Sequence, residues 1–523
     1  MKNYIIIFTL VFCMHLFSTP IIWNDPIILS SSGVNASNSQ IEMDGDSNSV
    51  AIWLEGSALV SATQLLNQSW SSITTIVVTG ASDPRLVVDS SGNATALWLE
   101  KSVLKTSTKL FGGSWSAEET LSSSASEPQI AVRSNGDVTA VWVESSVIKA
   151  AIKTFGGAWP GTADTLSSSG ADTPQVAIGN EGTVVVVWHN VVATLDTILS
   201  ATTTIGSAWE AETTISSSDS SINPAVTVDV DGGAMGSWFT FSQSGTSFSN
   251  VLVNVATKEK GASWQTPLVL SDPGVYDPSQ LEILIECDSS KNTIILWKTS
   301  FDGCNFDIQS IIKKVNETSW EDSLTLFRNP CSISMDLSVP CSKHITIISM
   351  DNDGTTTNIQ SSLTVINNAL KNFWLASNPL NDTYNNGFPK IASGEENAIV
   401  YATALWITYD GQNNVLRSSN GLRTCVLPPE NLAVVQSTLD FEVFTSIINT
   451  VTWSASPTSN LVGYLIYRDS LFLAQVAVNA FTFIDYNQPL GVSVTYEISA
   501  LSSDNVESPL ATVTLNPLKF WEE

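Results

Sequence analysis

The stretch "SEPQIAVRSNGDVTAVWVES", residues 126–145, decides the fold of this chain. It predicts a strand, a tight turn at Asn135-Gly136 and a second strand that carries Trp142, six residues beyond the glycine. The segment "VTAVW" has apolar residues on both faces of the second strand, so both faces must be covered by other parts of the protein.

The same pattern occurs four times with the same spacing, which identifies an internal repeat. The glycine and tryptophan lie six residues apart in Gly92/Trp98, Gly136/Trp142, Gly182/Trp188 and Gly232/Trp238. A first tryptophan series follows the turns at Trp53, Trp98, Trp142, Trp188, Trp238, Trp297, the region around Met350, and Trp406. A second series opens the last strand of each unit at Trp23, Trp70, Trp115, Trp159, Trp209, Trp264, Trp320 and Trp374.

Each unit reads as four short strands, and the first-series spacing begins at 45, 44 and 46 residues before it lengthens. This arrangement predicts an all-β fold, a β-propeller over residues 20–424, in which neighbouring blades cover both faces of the inner strands. Eight blades are expected, with seven as the alternative because the unit around Met350 lacks its first tryptophan. The first-series tryptophans are expected to fill space between blades.

The two ends of the repeat array are incomplete in complementary ways. "WNDPIILSSS" (23–32) is a fourth strand without the three before it, and the unit at 388–419 has no closing tryptophan strand. The N-terminal segment is therefore expected to pair near Asn413–Ser418, complete the last blade and close the ring, which hides two sheet edges.

Composition and the N-terminus indicate an exported protein. Lys2 precedes an apolar run that is too short to span a bilayer, so residues 1–19 are expected to be a signal peptide. No membrane span is predicted elsewhere, and a formal net charge of −28 argues against nucleic acid as a partner. We expect a monomer that is secreted or held in the cell envelope. Among the five cysteines of the mature chain, Cys331/Cys341 or Cys287/Cys304 could close short loops.

The pattern changes after Arg423. "NTVTWSASP" (449–457), "LVGYLIYRD" (461–469) and "VTYEISALSSDNVES" (494–508) resemble a fibronectin type III domain over about 90 residues. The resemblance implies a β-sandwich at 425–516, followed by a tail at 517–523, with Trp453 and Tyr467 in its core and Tyr496 as the corner tyrosine. The preceding array resembles repeat arrays of exported bacterial proteins whose role is undefined.

Enzymatic chemistry finds little support in the residues. A sialidase has a similar fold and carries an F-R-I-P motif near its start. The similar stretch "FRNP" (327–330) of this chain lies in the sixth unit instead, and only six arginines are present. The chain is therefore expected not to be an enzyme and to need no cofactor, with a sialidase-like or other divergent glycoside hydrolase as the alternative. Calcium is the weak cofactor candidate, at acidic turns containing Asp229, Asp231, Asp351 and Asp353.

Loop length locates the candidate binding site. In the later units, the loops between the second and third strands and between blades lengthen, and in a propeller both classes of loop emerge on one face. Functional residues concentrate on such loops. The expected ligand-binding residues are Tyr276, Asp277, Asp302, Asp353, Asp382 and Tyr384.

The sequence therefore predicts an exported binding or adhesion protein that recognises a glycan or a protein through this long-loop face. A divergent glycosidase and a purely architectural envelope component are the other hypotheses.

Overall fold

The structure is a computed structural model of the chain. It describes residues 21–192, 195–217, 219–244, 247–272, 281–300, 305–315, 317, 319–330, 335–339, 344–352, 357–365, 378–379, 386–396, 399–424, 426–440, 445–458, 461–489, 492–503, 507–508 and 510–515. The described residues form strands and turns, so the all-β prediction is confirmed. Within these ranges no helix is long and apolar enough to cross a membrane. The described chain divides into two compact units, residues 21–366 with 372–423, and residues 424–523.

The first unit consists of sheets in which successive strands pair as antiparallel neighbours, as a propeller-like fold requires. Sheet 1 contains β3 (Ala36–Met43), β4 (Ser49–Glu55), β5 (Ala58–Gln64) and β6 (Thr74–Val77); sheet 2 contains β7 (Ala81–Val88), β8 (Ala94–Glu100), β9 (Val103–Lys109) and β10 (Glu119–Ser122). Sheet 3 contains β11 (Ser126–Val132), β12 (Val138–Glu144), β13 (Val147–Lys153) and β14 (Asp164–Thr165); sheet 4 contains β15 (Ala171–Ile178), β16 (Thr183–Val192), β17 (Leu195–Thr204) and β18 (Thr213–Thr214).

The later sheets follow the same order. Sheet 5 contains β19 (Ser220–Val228), β20 (Ala234–Ser244), β21 (Ser247–Lys258) and β22 (Leu268–Val269); sheet 6 contains β23 (Ile283–Cys287), β24 (Thr293–Ser300), β25 (Asn305–Lys313) and β26 (Leu324–Pro330). Sheet 7 contains β27 (Met335–Ser338), β28 (His344–Asn352), β29 (Thr357–Val365) and β30 (Asn378–Pro379). Sheet 8 contains β31 (Asn386–Glu396), β32 (Ile399–Tyr409) and β33 (Asn414–Thr424), with β1 (Ile22–Trp23) and β2 (Ile27–Ile28) added from the N-terminal segment.

The N-terminal segment completes sheet 8, as the sequence predicts. Ile22 pairs with Leu422 in β33, and Ile27 pairs with Ser418 in the same strand. The first strand of each sheet packs against the first strand of the next, and β31 of sheet 8 packs against β3 of sheet 1. The first strands therefore form a closed circle around a central channel.

The turn between the first and second strands is stabilised by a recurring aspartate. Asp89 Oδ1 accepts the backbone N–H groups of Ser91 and Asn93, both at 2.9 Å, and Asn93 Nδ2 donates to Asp89 Oδ2 at 2.8 Å. Gly92 in this turn has φ +80°, and a Cβ there would lie 2.5 Å from the ring of Phe111. A glycine is therefore required by both the backbone conformation and the close contact.

Most first strands also carry a bulge that the sequence did not reveal. In six of the described sheets one residue at the start of this strand has a left-handed conformation, and the ladder register shifts there: Asn38, Asp83, Glu127, Thr173, Asn223 and Phe388. A proline follows in five of the six cases. Because proline has no N–H to contribute to a ladder, a bulge is a position that tolerates it.

The first-series tryptophans lie in the second strands and are fully buried. Trp53, Trp98, Trp142, Trp188, Trp238, Trp297 and Trp406 are each no more than 1% exposed. Trp98, for example, packs with Ile52 and Leu59 of sheet 1 as well as Leu86 of its own sheet. The apolar core therefore lies between sheets, and both faces of each second strand contribute to it.

Six second-series tryptophans lie just before the fourth strands of their sheets, which corrects the predicted strand starts: Trp70, Trp115, Trp159, Trp209, Trp264 and Trp320. Trp23 lies within β1, and Trp374 lies outside the described residues. Trp115, in an isolated bridge with Lys109, donates its indole N–H to Ser61 Oγ of the preceding sheet at 2.7 Å. Trp23 donates in the same way to Ser361 Oγ of sheet 7 at 2.7 Å. Trp23 thus links the last two sheets as Trp115 links sheets 1 and 2.

The second compact unit is a sandwich of two antiparallel sheets. One sheet has the order β34 (Glu430–Asp440), β35 (Thr445–Ser454), β38 (Thr482–Asp485); the other has the order β37 (Leu471–Ala477), β36 (Leu461–Arg468), β39 (Val494–Ser502), β40 (Ala511–Leu515). Trp453 and Tyr464 meet edge to face in the core between them, with ring centroids 5.7 Å apart. Tyr496 donates its hydroxyl to Asp485 Oδ2 at 2.7 Å.

Candidate functional site

The residues predicted for the long-loop face lie outside the described ranges. This applies to all six of the predicted ligand-binding residues: Tyr276, Asp277, Asp302, Asp353, Asp382 and Tyr384. Asp351 belongs to β28, where only its backbone is described. The predicted ligand site on this face therefore stays a prediction.

Of the calcium candidates, Asp229 and Asp231 are described, and both carboxylates have protein partners. Asp229 Oδ1 accepts the N–H of Asp231 at 2.9 Å and that of Gly233 at 2.8 Å, which is the recurring turn geometry. Asp231 pairs with Lys291. Within the described ranges, no group of three or more His, Cys, Asp or Glu side chains is arranged to hold a metal ion.

Cys287, one of the cysteines that the sequence allowed to pair, is a free thiol. Thr293 Oγ1 donates to its sulfur at 3.7 Å. Burial raises the pKa of this thiol to about 12, so the reactive thiolate is disfavoured. Cys304, the partner that the sequence suggested for Cys287, lies outside the described residues.

Four carboxyl groups lie on, or directly before, the first strands of three sheets that surround the centre of the ring. Glu42 belongs to the first strand of sheet 1, Glu286 to that of sheet 6 and Asp336 to that of sheet 7, while Glu282 directly precedes β23. Sheets 7 and 8 separate sheet 6 from sheet 1 around the circle, yet the charges of Asp336 and, to a smaller extent, Glu286 act on Glu42.

A lysine of sheet 8 contacts one of these carboxyl groups. Lys390, in the first strand of sheet 8, places Nζ 3.3 Å from Asp336 Oδ1. Asp336 Oδ2 also accepts the N–H of Ile391 at 2.9 Å. The Asp336 carboxylate is therefore held in place by two donors from sheet 8, whereas Glu42 and Glu286 face the lumen.

Enclosure in the ring raises the pKa values of the three glutamates. Burial, with repulsion from Asp336 and Glu286, raises the pKa of Glu42 to about 8. Burial raises the pKa of Glu286 to about 7, with a further contribution from Asp336, and raises that of Glu282 to about 7 against the attraction of Lys390 and Lys298. The side chains of Glu42 and Glu286 are exposed to water. The surrounding sheets nevertheless leave less water around each carboxylate than bulk solvent would, so the charged form is less well stabilised.

A short signal in the sequence marks two of these residues. "EMD" (42–44) and "ECD" (286–288) each place a glutamate two residues before the turn aspartate, where the equivalent position of sheet 2 is Val87. A glutamate in a first strand lies near the centre of the ring only if the ring closes. The sequence pattern alone therefore does not predict which other residues such a glutamate will lie near.

A second polar cluster lies near the hairpin that joins β16 and β17. His189 Nδ1 lies 2.6 Å from Asp172 Oδ1, and Nε2 lies 3.2 Å from Asp196 Oδ1. Burial lowers the pKa of His189, but the hydrogen bonds and charges of Asp172 and Asp196 outweigh it, so the pKa is raised. The His189 ring thus links the first three strands of sheet 4.

Replacing His189 by Gln is expected to destabilise the protein chiefly at acidic pH. The folded pKa lies above the unfolded value of about 6.5. The contribution to stability is therefore fully present below that value and is lost as pH rises through the folded pKa. Because hydrogen bonds to charged groups contribute about 1.5–3 kcal/mol, a difference on the order of 1 kcal/mol is expected at pH 5.5. Urea unfolding of both proteins at pH 5.5 and 9 measures it, and an equal difference at the two pH values would contradict the assignment.

Comparisons with known proteins find distant structural similarity. No family model matches the sequence, and no curated protein matches it. Similar solved structures include the polysaccharide lyase Uly1 (TM-score 0.41, 8% identity, covering 64% of this chain and 89% of that chain). Virginiamycin B lyase from Staphylococcus aureus has TM-score 0.37 and 13% identity over 66% of this chain and 100% of its own. A prolyl endopeptidase has TM-score 0.36 and 12% identity over 72% of this chain, which spans 54% of the endopeptidase. Function is therefore argued from the residues of this chain.

Proposed function

We propose that this chain is an exported binding protein, built as an eight-bladed β-propeller followed by a fibronectin type III domain. The propeller recognises a glycan or protein ligand that enters the central channel from the long-loop face. Export rests on the predicted signal peptide at residues 1–19.

Eight blades are supported by the cyclic packing of the first strands, with sheet 8 against sheet 1. The fibronectin type III assignment is supported by the three-plus-four strand order and by Tyr496. In that fold family a corner tyrosine near the start of a late strand bonds back to the chain. Here its partner is the Asp485 side chain, which departs from the usual backbone acceptor.

The observation that carries the binding proposal is the set of carboxyl groups Glu42, Glu282, Glu286 and Asp336 on or beside the first strands of three sheets of the ring, where the charge of Asp336 acts on each of the three glutamates. Carboxylates accept hydrogen bonds, and protonated carboxyl groups also donate one. With pKa values of about 7 to 8, these glutamates offer both forms near neutral pH. The channel thus suits a ligand segment that carries hydroxyl or ammonium groups.

A glycosidase-like enzyme is the second candidate, and one observation favours it. Glu42 has its pKa raised to about 8, whereas the Asp336 carboxylate is held by Lys390 and the Ile391 N–H. Two carboxyl groups in unlike environments can act as acid and base. A panel of fluorogenic glycosides distinguishes the two candidates. An enzyme would hydrolyse some of them, and Glu42→Gln would abolish turnover. A binding protein would hydrolyse none.

Replacing Glu42 and Glu286 together by Gln is expected to weaken ligand binding at least about tenfold, since a hydrogen bond to a charged group contributes roughly 1.5–3 kcal/mol. The measurement is titration of the purified chain with amino-sugar oligosaccharides and with lysine-rich peptides at pH 6 to 9. The affinity of the wild-type protein should vary across this range, because the two glutamates titrate within it, and the double variant should lose that variation.

Glu119→Gln is the matched control, because Glu119 is exposed on β10, the outer strand of sheet 2, and should not change affinity. Tyr276→Ala and Tyr384→Ala test the loop part of the proposal and should weaken binding while leaving Tm unchanged. Retention of full affinity in all of the channel and loop variants would contradict the proposed site.

A further inference from the structure

A polar cleft lies at the seam where sheet 8 meets sheet 1. Its volume is about 410 Å³, within the range of roughly 300–1,000 Å³ typical of ligand sites. The walls come from the turns at the ends of the first and third strands of sheet 1, from the start of β32, and from β33 with the closing segment. The seam cleft, as we call it, contains none of the channel carboxyl groups in its lining.

The repeat itself explains why a cleft opens at this seam. At the seam between sheets 1 and 2, Lys109 of sheet 2 donates a hydrogen bond from Nζ to Thr63 Oγ1 of sheet 1 at 2.7 Å. Gln64 occupies the place of Lys109, since each lies six residues before the second-series tryptophan of its sheet. At the seam between sheets 8 and 1, the lysine that bridges two sheets is therefore replaced by the shorter, neutral side chain of Gln64.

The partner of that bridge is changed as well. Trp70 donates to Ser418 Oγ as Trp115 donates to Ser61 Oγ, so Asn420, two residues beyond Ser418, occupies the place of Thr63. Gln64 donates instead to the backbone oxygen of Gln68 at 2.8 Å. The side-chain oxygen of Asn420 is buried and has no hydrogen-bond partner among the described residues. Buried acceptors are normally paired, so this oxygen marks a position for a donor.

The chemistry of the lining selects the class of ligand. Amides and hydroxyls dominate it, Asp25 is its single charged group, and no Lys, Arg or His is present among the described lining residues. An anion would lack a counter-charge there, and a metal ion would lack carboxylate ligands. Trp70 and Tyr401 add aromatic surface beside the polar groups. This mixture matches a sugar, which combines hydroxyl donors and acceptors with an apolar ring face.

Several lining groups are already fixed by hydrogen bonds within the protein. Ser419 Oγ donates to the backbone oxygen of Asn24 at 2.6 Å, and Ser49 Oγ lies 3.1 Å from Thr403 Oγ1. Side chains that are held in this way lose little conformational entropy when a ligand binds.

We propose that the seam cleft binds a neutral, hydroxyl-rich ligand of one or two sugar units. This site is separate from the channel and does not rest on the function proposed above. The ligand also contacts the closing segment, so its binding holds the seam of the ring together.

The test is titration of the full chain with a panel of neutral oligosaccharides, followed by the same titration of Gln64→Lys. This substitution rebuilds the lysine of the next seam and fills the cleft. At least a tenfold loss of affinity for the neutral oligosaccharides is expected, with Tm unchanged or higher. Ser69→Trp, which places a bulky ring at an exposed lining position, is the second variant and should cause the same loss even if Gln64→Lys folds poorly.

Lys109→Gln is the matched control, since it changes the equivalent position at the seam between sheets 1 and 2 and should leave affinity unchanged. Glu119→Gln, at an exposed position that lies in neither the seam cleft nor the channel, should also retain binding of neutral oligosaccharides. Failure of the wild-type chain to bind any neutral oligosaccharide would overturn the proposal, as would full affinity in both Gln64→Lys and Ser69→Trp; neither result would affect the channel proposal.

Discussion

Removing residues 21–30 is expected to lower the free energy of unfolding by roughly 5 kcal/mol or more. Ile21 and Leu29 are 3% and 7% exposed, and Trp23 packs with Ile21. Burying each such side chain contributes about 1.5–3 kcal/mol. Leu29 belongs to the core between sheets 8 and 1, whereas Ile21 belongs to the core between sheets 7 and 8. Loss of the segment therefore weakens the ring on both sides of sheet 8.

The truncated chain should also associate, because β33 would become an unpaired edge that can pair with another molecule. Calorimetry measures the change in Tm, and light scattering measures association. Ile27→Ser with Ile28→Ser is the matched control: these side chains lie in the same segment but are 50% and 52% exposed, so a change within about 0.5 kcal/mol per residue is expected. A truncated chain that stays monomeric with the wild-type Tm would show that the segment does not close the ring.

Trp98→Ala is expected to cost about 3–5 kcal/mol, the largest effect of any single substitution considered. Trp98 is 0% exposed and packs against apolar side chains of both sheet 1 and sheet 2. Alanine would leave a cavity between two sheets, each of which is fixed by its own hydrogen-bond ladder, so collapse around the cavity is limited.

Urea unfolding of Trp98→Ala and of Val78→Ala provides the measurement and its control. Val78 is 78% exposed and should change stability by no more than about 0.5 kcal/mol. A loss below about 1 kcal/mol in Trp98→Ala would mean that the repeat tryptophans do not carry the packing between sheets.

The hairpins and the repeat could be predicted because their causes are local. The turn at Asn135-Gly136 needs a residue that adopts positive φ, and Gly136 has φ +92° in the structure. The apolar runs on both faces of β12 required a covering layer on each side, which only stacked sheets provide. The unmatched halves at 23–32 and 388–419 predicted ring closure for the same reason, since an unpaired edge is unfavourable.

The candidate sites depend on contacts that no local pattern contains. Glu286 and Asp336 act on Glu42 only because ring closure gathers the first strands of sheets 1, 6 and 7 around one centre, and burial there raises the pKa of Glu42 to about 8 and that of Glu286 to about 7. Likewise, the seam cleft follows from Gln64 meeting Asn420 where Lys109 meets Thr63 at the next seam. The sequence by itself determined the strands, the turns and the order of the repeats, because backbone conformation and two-sided burial depend on neighbouring residues. Only the tertiary structure decided which side chains share a cavity, because ring closure joins residues that are hundreds of positions apart.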